Sequence, residues 1–263
     1  MQKSDSSARR FFVTGTDTGV GKTVVSLLLI QLLYKRGQDP FYIKIIQTGC
    51  ASPHDAESDA RFVYDHVPAL RGKDPGESVV YCFKNPKAPY FAARDEGVVI
   101  DPQILKESVE QRIGRRSPVI VEGAGGLLVP VTGEVLMISL VELLGARPIL
   151  VARAGLGTIN HTLLSIEALR TRGMEPAGVV LVDSGKTPTP HEMIRENMEA
   201  VASIAKVTVT GVVGRIRDFS NPDDVCYGPL SNLLDRIISS QASRPEDSRK
   251  DGHSGDRKRG VRA

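Results

Sequence analysis

Apolar residues in this chain gather into short unbroken runs, separated by stretches in which they recur at helical spacing. "RRFFVTG", "PFYIKII", "SPVIVEGAGG", "ARPILVARAG", "EPAGVVLVDSG" and "VTVTGVVG" are Val/Ile/Leu/Phe-rich segments of strand length, bounded by Gly, Pro or Asp. Between them, "GKTVVSLLLIQLLYKRG", "PQILKESVEQRIG", "INHTLLSIEALRTRG" and "PHEMIRENMEAVASIA" read as helices, the first apolar on most faces and stopped by Gly37. From Gly49 to about Pro102 the pattern weakens into acidic, Pro/Gly-rich sequence with one helix expected around "DAESDARFVYDHV". Continuous apolar strands alternating with helices predict an α/β fold, with a mostly parallel, doubly wound sheet covered by helices on both faces. Such sheets bind ligands beyond the carboxyl ends of their strands. Four strands end there in small or polar residues: "VTGTDTG", "IIQTG", "VEGAGG" and "VARAGLGT".

From about Ser239 the composition turns to Ser, Asp, Arg, Lys and Gly. Residues 1–9 and 239–263 are therefore expected to be disordered tails around a single domain, 10–238. The tail also locates the charge: residues 241–263 hold seven Lys/Arg against four Asp/Glu, which accounts for the whole net charge of +3 over 263 residues. The near-neutral body predicts no nucleic-acid partner. Three widely spaced cysteines without a CxxC argue against a disulfide framework or zinc site and predict a cytoplasmic protein. The polar start "MQKSDSSARR" carries no signal peptide, and no apolar run is long enough to span a bilayer, so no membrane partner is expected.

The chemistry begins at "VTGTDTGVGKTVVS". A phosphate loop reads G-x-x-x-x-G-K-[ST], yet Gly15 lies one residue further from Gly21 than that pattern allows, and Thr16 stands where the glycine is expected. Strand, glycine turn and helix are nevertheless in the right order. Backbone N–H groups of Gly19, Val20, Gly21 and Val24 can converge on phosphates, with Lys22 on the β/γ-phosphates and the Thr23 hydroxyl on Mg²⁺. Glu122, at the tip of "VIVEGAGG", suits a second Mg²⁺-handling acid. Taken alone it is equally a solvated turn residue. Lys44, among Ile43, Ile45 and Ile46, is either an edge-strand charge or a cation aimed into a polar site. "HDAESDA" offers Asp55, Glu57 and Asp59, among which residue chemistry alone does not choose. In "GLGTINHT", Asn160 is the expected N-cap and His161 a helix-start residue without a role as base.

"VTGTDTGVGKT", Lys44 with Thr48-Gly49, "ESDA", "VEGAGG" and "GLGTINH", in that order, resemble dethiobiotin synthetase from about Phe11 to Leu234. That family carries the same longer G-x₅-G-K-T loop. The resemblance implies a P-loop NTPase-like ligase of biotin biosynthesis. It uses ATP, Mg²⁺ and CO₂ to close 7,8-diaminononanoate into the cyclic urea dethiobiotin, through a carbamate and its mixed anhydride with phosphate. It implies Lys44, Lys22 and Thr18 as catalytic residues, and Mg²⁺ held by Thr23, Asp59 and Glu122, so that Asp59 is selected from the acid cluster. ATP would lie along Gly19 to Val24, Asp59, Glu122, Gly123, Ala124 and Gly125. Thr48 and Gly125 would face the diamine. Gly157, Thr158, Ile159 and Asn160 would bind its carboxylate across a homodimer interface. Lys44→Gln is expected to abolish turnover with the fold intact, and the extra loop residue to let Thr18 face the carbamate.

The chain departs from the family at three places. Gly19 replaces a Glu or Asn, Lys44 is followed by Ile45 where the family has Pro, and Val182 stands before Asp183 where the family has a base-reading Asn. Valine offers the base edge no hydrogen bond, which predicts relaxed preference for adenine; Gly214 and Arg215 are further candidates near the base. Two alternatives share the P-loop. A cobyrinate-type amidoligase would need a glutaminase domain, for which there is no room after Leu234. A partitioning-type regulatory ATPase would need a lysine early in the loop, where this chain has Thr16, Asp17, Thr18, Gly19 and Val20. A catalytically dead scaffold is argued against by the retained Lys22, Thr23, Lys44, Asp59 and Glu122.

Overall fold

The computed structural model describes residues 10–242 apart from Gly114, and side chains only as far as Ile238. Seven strands form one sheet: β1 (Arg10–Gly15), β2 (Phe41–Thr48), β3 (Val79–Phe83), β4 (Val119–Gly126), β5 (Arg147–Arg153), β6 (Gly178–Val182) and β7 (Val209–Val213). Their order is β3-β2-β4-β1-β5-β6-β7 and every pairing is parallel. The helices are α1 (Lys22–Lys35), α2 (Asp59–His66), α3 (Pro89–Asp95), α4 (Pro102–Ile113), α5 (Met137–Leu143), α6 (Thr158–Thr171), α7 (His191–Ala205) and α8 (Gly228–Ala242).

Strand pleating explains the two-sided core, because successive side chains point to opposite layers. Phe11 and Val13 of β1 pack with α1, α2 and α8, whereas Phe12 between them packs with α4 and α5. Val180 and Val182 of β6 join the first layer, while Val179 and Leu181 pack with α6 and α7. Helix α1 is apolar nearly all round because sheet, α2 and α8 enclose it. Its one buried amide, Gln31, donates to the carbonyls of His66 and Phe219 and accepts from the Tyr227 hydroxyl, so both ends of that amide are satisfied.

Several elements differ from the sequence expectation. The helix around "DAESDARFVYDHV" starts only at Asp59, with Ser58 as N-cap. The weak stretch holds β3 and α3; β3 is an edge strand half-buried except at Phe83, and α3 and α5 have seven residues each, too short for periodicity to show. Helix α8 runs to Ala242, past the boundary expected near Ser239. Of the expected tails 1–9 and 239–263, residues 1–9 and 243–263 lie outside the described residues. Among the described residues, no helix is long and apolar enough to cross a membrane.

Candidate active site

β1 lies between β4 and β5; the chain leaves β1 toward β2 on one side and later passes from β4 to β5 on the other, so the winding reverses and a crevice opens above the carboxyl end of β1. The phosphate loop fills that point. Gly15 is required there: a Cβ would meet Asp17 O and Val20 Cγ2 at 2.8 Å and Lys22 Nζ at 3.0 Å, because the lysine passes over it. Gly19 (φ 71°) and Gly21 (φ 98°) take left-handed turns that other residues avoid. Gly21 N-caps α1 without a side-chain hydrogen bond, and the first turn holds no acid, so the positive helix end is left for an anion. The Lys22 ammonium, buried, donates to Asp17 O at 2.9 Å.

Two neighbouring strands supply the charges. Lys44 on β2 stands in register with Glu122 on β4, which puts both side chains on the same face. β2 is interior, not an edge, so Lys44 is 4% exposed and Glu122 0%. Lys44 Nζ lies 2.9 Å from Glu122 Oε1 and 2.6 Å from Asp59 Oδ2, and donates to Gly123 O at 3.2 Å. Burial by itself would lower the Lys44 pKa, but the Glu122 and Asp59 carboxylates outweigh it and hold the ammonium above its ordinary value. Burial likewise raises Asp59, and Lys44 more than reverses it, leaving the carboxyl below its usual range. Tyr42, two positions before Lys44, donates to Glu122 Oε2 at 3.0 Å; burial and then the Glu122 charge push its phenol well above the ordinary value.

The acid cluster separates cleanly. Asp55 is consumed by its own turn, accepting from Ala51 N and Ser52 N, and Glu57 is exposed. Asp59 reaches the site because the Gln47 side-chain carbonyl accepts its backbone N–H at 3.1 Å. The Thr23 hydroxyl lies 2.8 Å from Asp59 Oδ1 and 2.9 Å from Glu122 Oε1, more acceptors than its one proton can serve. A hydroxyl and two carboxylates form a hard oxygen set of the kind that holds Mg²⁺. Among the described residues no three His, Cys, Asp or Glu side chains converge, so the remaining ligands would come from water and phosphate.

These groups line one cleft of about 620 Å³, within the range of small-molecule sites. Of the residues expected from sequence, Thr18, Gly19, Gly21, Lys22, Thr23, Val24, Lys44, Thr48, Asp59, Glu122, Ala124 and Gly125 line it. Val20 is buried beneath the loop, and Gly123 packs on Phe12 while its carbonyl takes the Lys44 hydrogen bond. Val182 is also buried: a Cβ on Gly21 would meet its Cγ1 at 2.8 Å, so it props the loop from below. Asp183 accepts from Thr189, and Arg215 donates to the carbonyls of Gly185 and Lys186; neither these two nor Gly214 lines the cleft. Gly157, Thr158, Ile159 and Asn160 also lie away from it. The N-cap of α6 is Gly157 (φ 87°), not Asn160, because the helix begins at Thr158 and leaves Asn160 exposed within its first turn; His161 is exposed beside it. Sequence reasoning missed Tyr42, Gln47, Lys87, Val129 and Ser184. Alternation from Lys44 would have found Tyr42, and the polar strand end "IIQTG" would have found Gln47.

The site makes one pH-dependent prediction. Burial, then the Lys44 charge, bring the Lys22 ammonium down from 10.5 to about 8, against Glu122, Asp59 and Asp17. ATP affinity is expected to be level below about pH 7 and to fall up to about tenfold per pH unit above about 8, as the free protein loses that charge. Stability runs the other way. The unfolded lysine binds its proton more tightly, so this group's contribution rises between about pH 8 and 10.5. Calorimetric titration of ATP across this range checks it; level affinity to pH 9.5 would rule out a phosphate contact by Lys22.

A parallel sheet with a glycine loop feeding a helix N-terminus, and with lysine, hydroxyl and carboxylates at one point, defines a phosphate-loop nucleotide-binding protein. A family profile described as an AAA domain matches residues 9–223. Solved structures share the fold at low identity. A plasmid partition protein from Borrelia burgdorferi B31 bound to AMPPNP is 14% identical, with TM-score 0.54 over 88% of this chain and 98% of its own. The cell division ATPase MinD of Pyrococcus furiosus is 16% identical, with TM-score 0.52 over 88% and 99%. Sequence relatives are more specific. An ATP-dependent dethiobiotin synthetase of Anaeromyxobacter dehalogenans is 40% identical over 76% of this chain and 86% of its own length. The corresponding synthetase of Paramagnetospirillum magneticum is 42% identical over 76% and 87%. A bifunctional biotin biosynthesis protein of Bordetella avium is 38% identical over 90% of this chain and 46% of its own. The chain belongs to the ATP-dependent dethiobiotin synthetase family, and is an enzyme of the ligase type.

Proposed function

We propose that the protein closes 7,8-diaminononanoate with CO₂ to dethiobiotin, converting ATP to ADP and phosphate. The observation that carries this reading is that two lysines, Lys44 and Lys22, line one cleft with the Thr23–Asp59–Glu122 oxygens, Thr18 and Thr48. The reaction brings two anions together, a carbamate and the γ-phosphate, so cations must flank their line of approach. One amine of the diamine takes up CO₂; a carbamate oxygen then attacks the γ-phosphate and releases ADP. The second amine displaces phosphate from the anhydride and closes the ring. Lys44, held protonated by two carboxylates, serves as a fixed positive charge for the carbamate and not as a base. Lys22 turns from Asp17 O to the β/γ-phosphates. Thr23, Asp59 and Glu122 would hold Mg²⁺, which when bound supplies further positive charge to the phosphate oxygens. Thr18 Oγ1 faces the "GAGG" turn, 3.5 Å from where a Cβ on Gly125 would stand, which supports its role beside the carbamate.

The substrate carboxylate end is proposed to come from a second copy. The N-terminus of α6 does not line its own cleft, and Leu156 beside it is 87% exposed, as Leu128 is 63%. Light scattering is expected to give twice the chain mass, and Leu156→Asp to yield monomers with a raised KM for the diamine. Val182, behind Gly21, presents no polar atom to a base, so ATP, CTP and GTP are expected to support turnover within about tenfold of one another. Incubation with diaminononanoate, bicarbonate, Mg²⁺ and each triphosphate, followed by mass detection of dethiobiotin, tests both points. Failure with every triphosphate would refute the reaction, and a strict ATP requirement the relaxed base preference.

A further inference from the structure

Asp17, the residue that begins the polar part of the phosphate loop, is held in three ways. Its carbonyl accepts from Lys22 Nζ at 2.9 Å, its Oδ1 from Thr18 N at 2.7 Å, and its Oδ2 from Arg153 Nη2 at 2.8 Å. The first tie is lost when Lys22 turns to phosphate, which leaves the carboxylate as the anchor of this stretch. Arg153 is the last residue of β5, next to β1, and Thr16 N reaches back to Val151 O on the same strand. Its Nε is buried without a hydrogen-bond partner, while the side chain as a whole is 43% exposed, so the hydrogen bond of this guanidinium is the one to Asp17. Neither Arg153 nor Asp17 lines the cleft, whereas Thr18 does.

We infer that Arg153 is a positioning residue, acting through Asp17 to fix Thr18 against the cleft. The loop is one residue longer than G-x-x-x-x-G-K-[ST], and the added length must be supported if Thr18 is to hold a constant direction. The Asp17 carboxylate supplies that support from within the loop, and the charge-assisted hydrogen bond from Arg153 Nη2 to its Oδ2 ties it to the end of β5. The phosphate-binding amides further on, at Gly21 and Lys22, are held separately by α1 and Gly15. The link therefore serves the carbamate side of the reaction and not nucleotide binding, a division that rests on the function proposed above.

The test is Arg153→Ala, Arg153→Lys, Asp17→Asn and the double variant Arg153→Ala/Asp17→Asn. Arg153→Ala is expected to lower kcat about tenfold and leave the Kd for a non-hydrolysable ATP analogue within about twofold. Arg153→Lys should recover most of the loss, and the double variant should be no worse than the more impaired single one. Amide exchange across the loop should show the Thr18 N–H less protected in Arg153→Ala. That readout needs no turnover, so it stands even if the wild type makes no dethiobiotin, an outcome that would overturn the function and not the link. Equal losses in kcat and analogue affinity, unchanged Thr18 protection, or full activity in Arg153→Ala would each overturn the inference.

Discussion

Lys44→Gln is expected to lower turnover by about 10²- to 10³-fold and also to destabilise the fold by about 3 kcal/mol. The first effect follows from losing a fixed cation where negative charge gathers. The second follows from what surrounds the ammonium. Glu122 is 0% exposed, and Lys44 lies between it and Asp59 at 2.9 and 2.6 Å. Removing one member of a buried charge group leaves the others uncompensated, which costs more than the pair itself contributes. The residue pattern alone predicts an intact fold for this variant, because sequence shows the lysine but not the two carboxylates pressed against it. Thermal denaturation alongside the dethiobiotin assay checks both halves. A midpoint equal to wild type would mean that the carboxylates relax into water, and unchanged turnover would remove Lys44 from the mechanism.

Gly21→Ala is expected to weaken ATP binding by more than about tenfold and to cost about 2 kcal/mol of stability. Two separate strains meet at this position. The backbone is left-handed at φ 98°, which disfavours any Cβ, and that Cβ would stand 2.8 Å from Val182 Cγ1. Val182→Ala removes both Cγ atoms at its own cost as a core truncation, and on that background Gly21→Ala should cost only about 1 kcal/mol, from the backbone. Denaturant midpoints and calorimetry of the two variants separate these terms. An equal cost of Gly21→Ala with and without Val182→Ala would show that Val182 does not prop the loop.

The alternation of apolar strands and amphipathic helices was enough to read the parallel sheet, because strands buried on both faces must be apolar throughout. β3, α3 and α5 escaped that reading for a related reason: an edge strand and seven-residue helices bury too little for a period to emerge. At the site, Gly21-Lys22-Thr23 was legible because a phosphate loop is local, a strand, a turn and a helix end within one stretch of chain. Asp59 was not separable from Asp55 by chemistry. What distinguishes them is that one closes its own turn and the other is hydrogen-bonded to Gln47 on a neighbouring strand.

By itself, then, the sequence determined the fold class, the nucleotide loop with its extra residue, and, through its match to one family, the reaction. These are properties of contiguous segments or of their order, and order survives without coordinates. Only the tertiary structure decided that Lys44 is an interior charge in register with Glu122, that Val182 lies under Gly21, that Gly157 caps α6, and that Asp17 is tied to Arg153. Each of these joins residues distant in the chain, or turns on backbone angles that no residue pattern specifies. Their contacts exist only because the parallel sheet brings several strand ends to one edge.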